Sequence, residues 1–352
     1  MEKRLRLFAL ILSIVSLIVL SNCDAVDAIK GTDKPEPEIE VPQVETLHPV
    51  LVNGKWGYIT NYGEISIAPQ FDEAREFSNG LAAVRRGTEW GYISEDDGTL
   101  QIPIQYRVAG NFENGLAPAQ LPNDLYGFID VNGNFVIDAQ FDFAGSFSEN
   151  LAPVRSDGLW GYVSTDGTLA INLEFSDARA FSDGLAAVET FEGWVYIDSV
   201  GTVAINTGFQ VAAAGNFAQG LAPLQTGDGW GFINENGVPV INPNFTLAGS
   251  FSEGLAWVME DEYIGFIDDS GEIVIPLQFA EVKGFTEDMA AVRLSRDWYY
   301  IHKNTGTIAF NTPFDHAESF NNGIARVRFG EDENTRYGYI NKQGEYIWYP
   351  TR

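Results

Sequence analysis

Three histidines, one cysteine and forty-nine carboxylates are the side chains with which this chain could do metal, nucleophilic or acid–base chemistry. His48, His302 and His316 lie far apart in sequence and match no metal-ligand spacing. Cys23 has no second cysteine to pair with, so no internal disulfide can form. There is no Gly-x-Ser-x-Gly elbow and no glycine-rich phosphate loop. A glycosidase needs only two carboxylates, but here no pair stands out from the pattern around it. The residues therefore assign no catalytic group, no metal ligands and no cofactor, and the expectation is a protein that is not an enzyme.

Binding chemistry is the better prospect. Trp257 fills a slot held elsewhere by small residues, proline or Arg326, and Tyr299 replaces a recurrent glycine. Aromatic side chains outside a repeating pattern could stack on a sugar ring, whereas those inside it belong to the core. Carboxylates crowd a set of variable loops, most densely at Glu331, Asp332 and Glu333, where a cationic protein or Ca²⁺ could bind. The candidate binding residues are thus Trp257, Tyr299, Glu331, Asp332 and Glu333.

The elements that must position these residues are short and repeated. An aromatic, usually Gly, a second aromatic and then Ile or Val recur at Trp56, Trp90, Tyr126, Trp160, Trp194, Trp230, Ile264, Trp298 and Tyr337. Each phrase is preceded by a Leu-Ala-x-Val type of segment. Each is followed by a glycine turn and a segment with apolar residues at alternate positions, as at Ile65 and Ile67. Alternation at period two predicts strands with one buried face. Pro118, Pro153 and Pro223 make the first strand an edge, and Pro239 predicts an irregular sixth unit. A three-stranded meander is too small to bury its apolar face alone and must stack on its neighbours. The fold expected is all-β: nine such meanders, joined by crossovers whose aromatics (Phe71, Tyr106, Phe141, Phe175, Phe209, Phe245, Phe279 and Phe314) plug the joints. The arrangement favoured is a superhelical array or solenoid. A β-propeller is the alternative, with more than the usual range of about four to eight blades.

Lys55-Trp56-Gly57-Tyr58-Ile59, Pro69-Gln70-Phe71-Asp72 and Phe77-Ser78-Asn79-Gly80-Leu81-Ala82 resemble the bacterial WG-repeat (KWG) family, over residues 48–349. Ile264, Val195, Tyr299 and Met289 depart from its pattern, at places where packing must differ locally. The resemblance implies a β-rich repeat, frequent in secreted or surface proteins, and supplies no catalytic residues.

The remaining residues give an address. Lys3, Arg4 and Arg6 precede an apolar run from Leu7 to Leu20, a secretory signal too short for a comfortable membrane span. With Cys23 behind it the segment resembles a bacterial lipobox, which implies a lipid attached at Cys23. Residues 1–22 are thus a lipoprotein-type signal peptide, 23–47 a disordered acidic and proline-rich tether, and 48–352 the repeat array. A formal net charge of −28 argues against nucleic acid and against anionic headgroups, leaving the lipid anchor as the only membrane contact. The expected role is a non-catalytic scaffold in the bacterial cell envelope, at the inner or outer membrane, with the array in the periplasm or at the cell surface. Its partner would be an envelope or extracellular protein; peptidoglycan or another glycan, and Ca²⁺, are the alternatives.

Overall fold

The computed structural model describes residues 45–208, 211–330 and 334–351. The signal peptide, Cys23, the tether up to residue 44, Phe209 and Glu331–Glu333 lie outside the described residues. Among the described residues the strands form nine antiparallel sheets, covering 47–71, 73–106, 108–141, 143–175, 177–206, 213–245, 247–279, 281–302 and 316–351. We number these blades 1 to 9. Blade 2 shows the plan: a two-residue strand, Glu73–Ala74, then an inner strand Leu81–Arg86, a middle strand Glu89–Ser94 and an outer strand Leu100–Tyr106. The sequence-predicted meander is therefore the blade, with a short strand from the crossover added on its inner side.

The Gly of the recurrent phrase has a steric cause. The outer strand carries a bulge where it crosses the middle strand. A Cβ on Gly57 would lie 2.4 Å from the carbonyl oxygen of Ile67, and one on Gly231 2.4 Å from that of Ile241. Blades 5 and 8 carry Val195 and Tyr299 at this position, and in both the outer strand gives way. In blade 5 it shortens to Val203–Asn206. In blade 8 it is reduced to the bridges Ile301–Ile308 and Trp298–Phe314. Pro239, by contrast, opens a regular outer strand, Pro239–Phe245, because the first position of an edge strand needs no N–H. The edge reading of Pro118 holds beyond the two-residue strand, whose pairing ends where the Gly110 N–H donates to the Pro118 carbonyl.

Blades are joined by one recurring device. An aromatic of the middle strand packs on a crossover aromatic of the next blade, as in Tyr58–Phe77 at 4.7 Å and Phe232–Phe251 at 5.1 Å between centroids. Each such pair contributes about 1 kcal/mol beyond its area burial. Where the first aromatic is Tyr, its hydroxyl donates to a carbonyl of the next blade: Tyr58 to Arg75, Tyr92 to Gly110, Tyr162 to Arg179, Tyr196 to Gly215 and Tyr300 to Glu318, at 2.6–2.8 Å. The predicted plugs that are described, Phe71, Tyr106, Phe141, Phe175, Phe245, Phe279 and Phe314, are all buried. The turn glycine of each blade lies against the outer segment of the blade before it, Gly98 on Ile67 and Gly271 on Ile241.

The ends repeat the same device on each other. Gly63 of blade 1 lies against Ile347 of blade 9, and the Tyr339 hydroxyl donates to the Pro49 carbonyl at 2.7 Å. Thr351 donates to the Leu51 carbonyl, and Val50, Ile59, Ile324 and Tyr339 share one small core. The repeat array stands, and its ends meet: of the two arrangements expected, it is the β-propeller, with nine blades. Among the described residues no blade mixes strands from the two ends, and the ring closes by packing and hydrogen bonds.

Candidate binding surfaces

Because every blade has the same strand order, closure gathers all the hairpins between inner and middle strands on one face of the ring. These are the acid-bearing loops. Glu89, Asp157, Glu192, Asp228, Glu260, Asp261 and Glu262 are exposed there, and none has an ion pair among the described residues. Asp124 is paired with Arg107, and Glu189 accepts from Ser176. Phe191, 96% exposed, and Tyr263 stand among them. Toward the other face, where Glu64, Asp96, Asp97, Glu235, Asp269 and Glu272 are exposed, three further acids bridge the joints. Glu149 accepts from the Gly184 N–H, Glu253 from the Asp288 N–H and Glu287 from the Gly323 N–H, each in the next blade.

The second surface is a cavity of about 690 Å³ on the inner side of the ring at its closure. Residues from blades 9, 1, 2, 3 and 4 line it. Among the described residues blade 1 has no two-residue strand, and its Pro49 carbonyl, whose counterparts accept an N–H from the residue after the short strand (Arg75 to Ala83, Gly110 to Pro118), accepts from the Tyr339 hydroxyl. Across this seam the Arg326 guanidinium sits 5.6 Å from the ring centroids of both Trp56 and Tyr337 and donates to Glu318 at 2.8 and 3.2 Å. Behind it His48 packs on Tyr339 at 5.9 Å, with its Nδ1 3.6 Å from Glu76 Oε2. Burial holds the His48 imidazole down at about 4. Glu76 lines the cavity and is open to it, yet protein surrounds it. This burial raises its carboxyl to about 7; Arg326 opposes the rise and Glu318 adds to it.

Inner-strand and short-strand residues match in size across this inner surface. Where the inner strand carries Pro118, Pro153, Pro223 or Trp257, the short strand is followed by Gly110, Gly145, Gly215 or Gly249. Where it carries Ala83, Ala187 or Ala291, a long cation follows instead: Arg75, Arg179 or Lys283. Those three cations are spaced at every third blade, as are the buried Trp90, Trp194 and Trp298.

Seven segments, residues 56–87, 90–125, 126–160, 160–190, 230–263, 264–296 and 300–331, match the model of the WG containing repeat. The chain belongs to the WG-repeat family. The matches leave out residues 191–229, most of blade 5's middle and outer strands and part of blade 6, although the same blade plan runs through them. No curated protein matches the chain. Among solved structures it is similar to a eukaryotic initiation factor at 11% identity, over 88% of this chain and 97% of that one, with a TM-score of 0.64. It also matches the computationally designed protein Ika8 at 12% identity, over 78% and 95% of the two chains, with a TM-score of 0.47. The first likeness shows a shared fold.

Within this WG-repeat propeller two of the sequence-predicted residues, Trp257 and Tyr299, are described. Trp257 is half-buried with its indole across Gly249, where a Cβ would lie 2.0 Å from Nε1. Tyr299 is half-buried at the phrase-glycine position of blade 8, and both border the same core cluster between blades 7 and 8. Glu331, Asp332 and Glu333 fall outside the described residues. Sequence reasoning missed the seam residues His316, Glu318, Arg326 and Arg328. Arg326 was as far from the pattern as Trp257, in the same slot, and that was the signal to follow.

Proposed function

We propose that this WG-repeat protein is a non-catalytic scaffold of the bacterial cell envelope. A lipid on Cys23 holds it at a membrane, and the hairpin face binds a protein partner of complementary positive charge. The observation supporting this reading is the run of exposed carboxylates on the hairpin face, which have no ion pair among the described residues and stand beside Phe191 and Tyr263. Unpaired like charges on one face raise the local potential and steer a cationic partner; the exposed rings add desolvated contact area. In sequence, Glu331–Glu333 stand between Phe329 and Arg336, the ends of the inner and middle strands of blade 9.

The test is capture from envelope extract with residues 24–352 as bait, at low and high salt, beside the variant Glu260→Gln/Asp261→Asn/Glu262→Gln. A partner retained by the parent, and lost both in high salt and in the variant, supports the scaffold. Capture that ignores both changes removes the mechanism. The glycan alternative predicts salt-insensitive retention on peptidoglycan that falls on Trp257→Ala. The calcium alternative rests on Glu331–Glu333; among the described residues no group of three or more His, Cys, Asp or Glu is placed to hold a metal. It predicts a melting temperature raised by Ca²⁺.

A further inference from the structure

The seam cavity carries positive charge that the rest of this acidic chain does not explain. Arg85 and Arg293 occupy the last-but-one position of their inner strands, and each is neutralised by the acid across from it on the short strand. The distances are 3.1 Å to Glu73 and 2.7 Å to Glu281. Arg328 holds the same slot in blade 9, but the residue across from it is His316. His316 is held below the usual histidine range by burial and by Arg328 and Lys283, so it is neutral at pH 7 and cancels no charge. Among the described residues Arg328 has no ion pair, and its Nε is shut from water without a hydrogen-bond partner. With 49 acidic residues against 21 basic ones, an unpaired guanidinium in a cavity is the reverse of what chance would leave. Closure of the ring does not need it either: Arg326, Glu318 and Tyr339 make the contacts across the seam. In blades 3 and 6, the counterparts three and six blades back, the slot holds Gln120 and Gln225.

We propose that the seam cavity binds a small carboxylate-bearing molecule of about the size of a sugar acid, with Arg328 as the residue that takes the carboxylate. With Nε shut away, the two terminal Nη groups of the guanidinium still present parallel donors, which match the two oxygens of a carboxylate. Arg75, bonded to the Ala109 carbonyl and lacking an acid partner, adds a second positive group to the wall. Glu73, Glu76 and Glu318 line the same cavity, so a monoanion is favoured over a phosphate dianion. The volume lies within the range of small-molecule sites, and Trp56, Asn111 and Ser146 offer a ring and polar groups to the body of the ligand. This site is independent of whatever occupies the hairpin face.

The experiment is isothermal titration of residues 24–352 with glucuronate, glucose and inorganic phosphate, repeated on Arg328→Gln and Arg155→Gln. Gln is the residue that blades 3 and 6 carry at this slot, so Arg328→Gln keeps the fold, checked by an unchanged melting temperature. Arg155 has the same slot in blade 4, also without an acid partner, but does not line the cavity. Saturable binding of glucuronate is expected, at least about tenfold weaker for glucose and phosphate. Arg328→Gln should lose at least about tenfold, the worth of a charged hydrogen bond, and Arg155→Gln should lose nothing. No saturable glucuronate binding, equal binding of glucose or phosphate, or full affinity in Arg328→Gln would each overturn the proposal.

Discussion

Two titratable side chains at the seam, His48 buried and Glu76 open to the cavity but surrounded by protein, oppose each other in their effect on stability. Glu76 has a folded value of about 7 against 4.5 in the unfolded chain, so its contribution is present below pH 4.5 and is lost as the pH rises through 7. His48, at about 4 against 6.5, contributes above pH 6.5 and loses that contribution as the pH falls through 4. Between 4.5 and 6.5 the slopes cancel: folding moves a proton from imidazole to carboxyl without changing the number bound. Denaturant melts across this window should show parent stability nearly flat with respect to these two groups. Glu76→Gln should gain a rise with pH, and His48→Ala, which restores the residue type of Ala82 and Ala117, should gain a fall. Parallel curves for all three proteins would refute the pairing. The phrase glycine makes a second prediction at this scale. Gly231→Val sets a side chain against the Ile241 carbonyl and should cost about 2 kcal/mol or more, read as a lowered denaturation midpoint. Val195→Gly should cost about 2–4 kcal/mol, because it removes a buried side chain and adds the entropy of glycine.

The element scale shows how far the sequence could be read. Strand type, turn position and blade count followed from alternation and from glycines such as Gly133 and Gly167, because these are local constraints that each unit states for itself. The departures Val195 and Tyr299 marked the two blades whose outer strands are reduced, although only the structure reveals the bulge that makes glycine necessary elsewhere. What was not legible depends on two units at once. Gly249 has a reason only when Trp257 is known to lie across it, and Arg328 is unusual only once His316 is known to face it. The reduced strands carry their own prediction. In hydrogen–deuterium exchange, amides of the blade 8 segment 303–313 should exchange faster than those of the outer strand Ile273–Phe279 in blade 7, which is bulged but remains a full seven-residue strand. Equal protection would mean that the bridges hold this segment as firmly as a full strand.

At the scale of the whole molecule, closure removes the two bare ends that an open array would have to cap. Curvature is a small rotation repeated at each joint, and no single unit's sequence states their sum; this is why the ring was legible only as one of two outcomes. A closed ring should melt in one cooperative transition. A chain ending at residue 302 lacks blade 9, exposes Val50 and Ile59 of the first blade, and should be recovered soluble in far lower yield, or melt with a second, earlier transition. If the shortened chain melted like the parent, closure would contribute nothing to stability.

The described residues of blade 1 also place the incoming chain. Residues 45–46 run into the inner strand at Leu47, with the Asn61 N–H bonded to the Thr46 carbonyl beside the turn of 61–64. That turn lies on the side away from the acidic hairpins. The disc therefore has its doorway near the hub and beneath, with the acidic canopy opposite.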